Sequence, residues 1–227
     1  TSGNANAGVL ISTTGLTYSN AIVLATGNTG TLTLGNTGTA ISTTFSGGVT
    51  GINNLTINSN ATAGTITFAT GSINNTGTVT NVGAGAGAVT ISSVIGTNVT
   101  GVTQNSATSN LILSGNNTYG GTTTVSNGTL QIGSGGTAGT LGTGNVTNNA
   151  TLTFNRSNDI SVTNLISGTG ALVKNAAGLL SLSAANTYSG GTTVSGGTLR
   201  AGITSTGSAG SVTNGAFGTG TVTVNSG

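Results

Sequence analysis

The chain contains one passage twice, and a fixed spacing between two copies constrains a fold more tightly than any local propensity does. Residues 111–133 read LILSGNNTYGGTTTVSNGTLQIG, and residues 179–202 read LLSLSAANTYSGGTTVSGGTLRAG. Asn117 and Asn186, Tyr119 and Tyr188, Gly121 and Gly190, Val125 and Val194, and Leu130 and Leu199 each lie 69 residues apart, and these positions define the repeat. Inside each copy apolar residues alternate with Thr or Ser, and Gly or Asn separates the alternating runs. Period-two alternation marks a half-buried strand and the Gly/Asn punctuation marks a tight turn, so each copy predicts three short strands.

The rest of the chain varies this grammar. Strand-like runs are predicted at residues 21–25, 31–34, 54–57, 64–68, 78–82 and 88–91. Residues 83–88 alternate Gly and Ala, which reads as either a flat strand or a mobile loop. Residues 1–109 are therefore expected to form irregular coils and residues 110–227 the repeat, in a single continuous segment. Between equivalent glycines the second copy carries seven more residues than the first (202–218 against 133–142), an insertion expected in a projecting turn.

Composition supports an all-β class. The 227 residues are 34% hydrophobic and only 2% charged, the reverse of the balance that keeps chains disordered. The aliphatic residues are mostly Val, Ile and Leu interleaved with Thr, which suit pleated surfaces, and no window shows a 3.6-residue period. A net charge of +2, spread over Arg156, Asp159, Lys174 and Arg200, argues against a nucleic-acid or anionic-membrane partner. No stretch reaches 18 consecutive apolar residues. With no signal peptide and no initiator Met, the chain reads as a mature piece or an excised segment.

An offset of 69 residues divides into three coils of 23, a plausible size for one turn of a three-sided parallel β-solenoid. On that arithmetic the chain makes roughly ten rungs, with Tyr119 and Tyr188 equivalent and three rungs apart. Leu111, Leu113, Val125, Leu130 and Ile132 are expected inward, with the Thr, Ser and Gln between them outward. Gly and Asn are expected at turns because both tolerate left-handed backbone angles, and stacked Asn side chains can form ladders. A β-sandwich also uses many short strands. The long repeat and the scarcity of distinct hairpin loops favour the solenoid.

The residue inventory holds little chemistry. There is no His, Cys or Glu and a single Asp, so neither paired-carboxylate catalysis nor a calcium-binding repeat has its groups, and no catalytic, cofactor or metal residue is assigned. Lys174 is the only base that could serve a Ser–Lys dyad. Arg156 and Asp159 read as an exposed ion pair worth little. Asn60, Asn98, Asn127 and Asn149 begin Asn-x-Ser/Thr triplets, which chance supplies in a chain of this composition. Thr-x-Thr pairs at 31, 65, 78, 151 and 221 raise an ice-binding face, but their intervals are irregular.

Residues 168–202, GTGALVKNAAGLLSLSAANTYSGGTTVSGGTLRAG, closely resemble the autotransporter-associated β-strand repeat, also called the passenger-associated transport repeat. The likeness rests on Gly168-Thr169-Gly170, Leu172, Lys174, Gly178, Leu180, Leu182, Asn186-Thr187-Tyr188, Gly190-Gly191-Thr192, Val194 and Gly197-Thr198-Leu199, and it weakens before residue 110. It implies a right-handed parallel β-helix in a secreted or cell-surface bacterial protein exported through an outer-membrane barrel, with the repeat as scaffold. The expectation is an extracellular structural solenoid forming a stalk, filament or coat that mediates adhesion or cohesion, self-associating end to end or laterally, with a surface glycan or matrix as a further partner. The other reading is a passenger adhesin that recognises a specific glycan or protein, through a patch on the insertion at residues 203–215.

Overall fold

The computed structural model describes residues 6–27, 30–208 and 211–225, and no residue among them is helical. Residues 1–5 and 28–29 of the predicted irregular coils, residues 209–210 of the predicted insertion and residues 226–227 of the repeat segment lie outside the described residues. The chain winds as a parallel β-solenoid of about eight turns with three faces. On the first face 8 strands stack in parallel, from Ala7–Ile11 through Leu32–Asn36, Leu55–Ser59, Gly77–Asn81, Val99–Gln104, Thr122–Val125 and Val146–Asn148 to Ile166–Ser167. The second face carries 10, beginning Leu16–Tyr18, Thr43–Phe45, Ile66–Phe68 and Val89–Ile91 and ending Thr192–Val194 and Val222–Val224. About eight turns is fewer than the roughly ten rungs expected, although the second face alone carries 10 strands. The third face is thinner: Ile22–Leu24 pairs with Val49–Gly51, single bridges link Val49, Ile73 and Ile95, and Ile160–Val162, Leu179–Leu182 and Thr198–Ala201 close it.

Period-two alternation puts one side of every strand inside, and the pairing stacks those side chains into columns. On the second face Phe45, Phe68, Ile91, Leu113, Ile132 and Phe154 follow one another from turn to turn. Tyr18, Phe45 and Phe68 stack with ring centroids 5.8 and 5.2 Å apart, inside the favourable range for aromatic pairs. Leu111, Leu113, Val125, Leu130 and Ile132 are all fully buried, as the alternation required. Thr123 departs from the outward placement expected of threonine: in phase with Val125, it is buried in the column between Val102 and Val146.

The repeat does not divide into three coils of 23. Leu111 stacks on Leu130, Leu130 on Leu152 and Leu152 on Leu172, three successive turns of the second face. Leu180, the counterpart of Leu111, comes next in the chain but on the third face. The offset therefore spans three turns and one further side, and the second copy is rotated by one face about the axis. Coils are not uniform: a turn takes 19 residues from Leu111 to Leu130, 27 from Leu16 to Thr43 and 30 from Thr192 to Val222. Corners absorb the difference.

Corner chemistry also differs from the expectation. The described non-glycine residues with positive φ are Ala40 and Ala176, so Asn is not placed for left-handed angles. Its amide carries the backbone across the corner instead. The side-chain oxygens of Asn54, Asn60, Asn74 and Asn149 accept the backbone N–H of Thr78, Ala84, Asn98 and Thr169, each one turn ahead, at 2.8–3.2 Å. Inside the solenoid Asn81 donates to Gln104 (2.8 Å) and to the Ser109 carbonyl, and Gln104 donates to the carbonyls of Ser106 and Ser109. Buried corner carbonyls need such partners, because an unpaired one costs about 1–3 kcal/mol.

The Gly-Ala tract is neither a strand nor open. It forms the corner between Gly77–Asn81 and Val89–Ile91, where a Cβ at Gly83, Gly85 or Gly87 would fall 2.0–2.3 Å from a carbonyl of the preceding turn. Only glycine permits that approach. The insertion makes an antiparallel pair, Thr206–Ser208 with Ser211–Asn214, exposed on the side of the stack.

Candidate functional site

The repeat-defining residues build one structural unit twice, on adjoining faces. Asn117 accepts the Ile95 N–H (2.9 Å) and donates to the Thr140 carbonyl (2.7 Å), so its amide joins the turn below to the turn above. Asn186 repeats this with the Ile166 N–H (2.8 Å) and the Ala216 carbonyl (2.7 Å), across the inserted residues. Tyr119 and Tyr188 are fully buried, and their hydroxyls meet Thr123 Oγ1 (2.7 Å) and Thr192 Oγ1 (2.6 Å). That contact explains the inward threonines: each tyrosine hydroxyl satisfies a polar group inside an apolar column. Burial raises both phenols, Tyr188 to about 12, against the opposing hydrogen bonds.

Gly121 lies against the preceding turn, where a Cβ would sit 1.8 Å from the Thr100 carbonyl, and at Gly190 it would sit 2.5 Å from the Gly170 carbonyl carbon. Val125 and Leu130 are fully buried, Val194 nearly so, and Leu199 packs half-buried against the core.

The charged residues are not where the sequence reading put them. Arg156 is buried and makes no ion pair with Asp159: it donates to the carbonyls of Gly139 and Thr137 and to Asn158 Oδ1, while Asp159 accepts the Leu179 N–H (3.0 Å). Sequence spacing put the two charges in one turn-like segment. The structure shows that Arg156 instead pins the excursion at residues 134–139 onto the coil. Lys174 follows Phe154 and precedes Val194 in an inward column, 2% exposed. Its ammonium donates to the carbonyls of Asn175 (2.6 Å), Ala176 (2.8 Å) and Gly196 (3.2 Å), which uses all three protons and leaves none of its capacity for a serine. Desolvation lowers both cations below their usual values.

Outward, the first face presents Thr33, Thr56, Thr80, Thr103, Thr124 and Thr147 in unbroken register over six turns. The five pairs singled out in the sequence are spaced irregularly because they lie on two faces, those at 31 and 78 on the first and those at 65, 151 and 221 on the second. Two residues earlier in each strand stand Thr31, Asn54, Thr78, Gly101, Thr122 and Asn145, so the paired Thr-x-Thr motif recurs on alternate turns only. An ice face requires it on every turn.

Residues 108–132 and 172–201 match the family model described as passenger-associated-transport-repeat, over the two passages that build the Asn–Tyr–Thr unit. Both passages match the same repeat model, and most of the chain lies outside the two matches. With the solenoid, these matches fit an autotransporter passenger-like repeat protein. Neither a curated protein nor a solved structure matches the chain. In each matched passage the buried Asn links the turn below to the turn above, and the buried Tyr pairs with an inward Thr. Among the described residues no helix is long and apolar enough to cross a membrane.

Proposed function

We propose that this segment is a stalk or coat module of a secreted or cell-surface protein, passive in mechanism, that supports adhesion or cohesion between cells and surfaces. The carrying observation is the ten-strand parallel sheet, whose hydrogen bonds run along one axis turn after turn. Stiffness along that axis follows from many small additive contacts between neighbouring turns. Cohesion follows from the outer surface: two of the four charged side chains are buried, and an unbroken column of threonine hydroxyls lines one face. Little electrostatic repulsion opposes lateral contact between copies, or between the column and a neutral glycan or matrix.

One observation favours a second reading, a specific adhesin: the exposed antiparallel pair of the insertion is unlike every other strand pair in the stack. Cells displaying the full parent protein, with and without residues 204–214, separate the two. Retained surface adhesion after excision, with aggregation that falls as neutral glycan is added, supports the stalk. Adhesion lost on excision with the fold intact overturns it in favour of the adhesin.

A further inference from the structure

We propose that the cavity beside Arg156 binds a small monocarboxylate, of acetate size or smaller. The cavity holds about 100 Å³, enough for a ligand of a few heavy atoms. Ile132, Leu141, Phe154 and Val162 line it on the apolar side, and Arg156 and Thr140 on the polar side. It lies between the third-face strand Ile160–Val162 and the preceding turn, next to the excursion at residues 134–139 that Arg156 pins.

Arg156 is 7% exposed as a residue, and every partner its guanidinium has is neutral. Nε and Nη2 donate to Asn158 Oδ1 at 3.1 and 2.9 Å, Nη1 donates to the Gly139 carbonyl at 2.5 Å, and Nη2 also donates to the Thr137 carbonyl. Four of its five N–H groups are thus engaged, and the remaining hydrogen is on Nη1. The chain's single carboxylate, Asp159, turns to the Leu179 N–H instead. A cation taken out of water without a counter-charge is costly, and an anion in the adjoining cavity removes that cost. Of the other polar groups in the wall, Thr140 Oγ1 is engaged with the Asn117 backbone and the Asn164 amide with the carbonyls of Gly142 and Gly144, while Ser161 and Thr163 are exposed to solvent. A buried cation beside Phe154 and Val162 favours a carboxylate with a short alkyl tail. A larger, doubly charged oxyanion would desolvate against Phe154 and Val162 with nothing to repay it.

The test is saturation-transfer NMR on the purified chain near neutral pH, with acetate as probe and acetamide, its neutral isostere, as control. Transfer to the acetate methyl is expected to be saturable and about tenfold or more stronger in affinity than for acetamide. Arg156→Gln removes the charge and Val162→Phe fills the cavity without touching it, and both are expected to abolish transfer. Equal transfer to acetate and acetamide overturns the proposal, as does the absence of transfer in the unmodified chain, or transfer that survives Val162→Phe. Should either variant misfold, the acetate–acetamide comparison on the unmodified chain still decides.

Discussion

Three threonines face inward in equivalent columns, and they differ only in what their hydroxyls meet. Thr123 Oγ1 meets the Tyr119 hydroxyl, and Thr192 Oγ1 meets both the Tyr188 hydroxyl and the Phe217 carbonyl. Thr43, 2% exposed between Leu16 and Ile66, has no partner for its hydroxyl among the described residues. Replacing each with the near-isosteric Val isolates the hydroxyl. At Thr43 the change removes an unpaired buried polar group and is expected to stabilise by about 1–2 kcal/mol. At Thr123 it leaves the fully buried Tyr119 hydroxyl without its side-chain partner, a cost of about 1–3 kcal/mol, and Thr192→Val should cost at least as much because two contacts go. Adding Tyr119→Phe to Thr123→Val should recover most of the loss, since both polar groups are then gone. Urea unfolding followed by circular dichroism reads the global change, and amide hydrogen exchange on the turns concerned reads the local one, because solenoids lose stability turn by turn. The reasoning fails if Thr43→Val destabilises as much as Thr123→Val, or if the double variant costs the sum of its parts.

Two further outcomes follow from the same geometry. Gly121→Ala forces a Cβ into the Thr100 carbonyl and should cost about 3 kcal/mol or more, whereas Gly120→Ala, whose Cβ would meet nothing closer than 3.9 Å, should be nearly neutral; thermal melting of the pair checks this. Above pH 10 an unfolded tyrosine ionises while buried Tyr188 holds its proton to about 12, so the native state binds more protons and stability falls as pH rises through that window, by about 2.7 kcal/mol for this residue. Lys174, lowered by desolvation, has the opposite sign and adds stability as pH rises towards 10.5, so the decline should show between pH 10.5 and 12; urea midpoints that stay flat there would contradict the burial of the phenols.

The strand grammar was legible because alternation survives any corner length. Residues 54–57, 64–68, 78–82 and 88–91 were read as strands from Val, Ile and Thr alone, and all four carry one. The coil length was not legible. An offset of 69 divides neatly by three, and nothing in one sequence says that the second copy has moved on by a face; only the pairing of Leu172 with Thr192 rather than with a residue 23 further on reveals it. The buried cations were missed for a related reason. Lys174 falls on an inward position of the alternation, so a strict reading of the period would have placed it inside, but the usual exposure of lysine outweighs period two until the carbonyls that receive it are seen. Thr123 was misassigned likewise, although Tyr four residues earlier, repeated at Tyr188 and Thr192, was a signal available in the sequence.

The central claim is the stacking register, and the absence of cysteine from the chain lets engineered pairs report it cleanly. Val173 and Thr193 are outward register partners on successive turns, with Cα atoms about 4.8 Å apart, inside the roughly 4.4–6.8 Å that a disulfide accepts. Mass spectrometry after mild oxidation should find Val173→Cys/Thr193→Cys cross-linked within one chain. Val173→Cys/Gly196→Cys, the pair that a 23-residue coil would bring together, should remain reduced. The reverse result would contradict the rotated repeat and the solenoid register built on it.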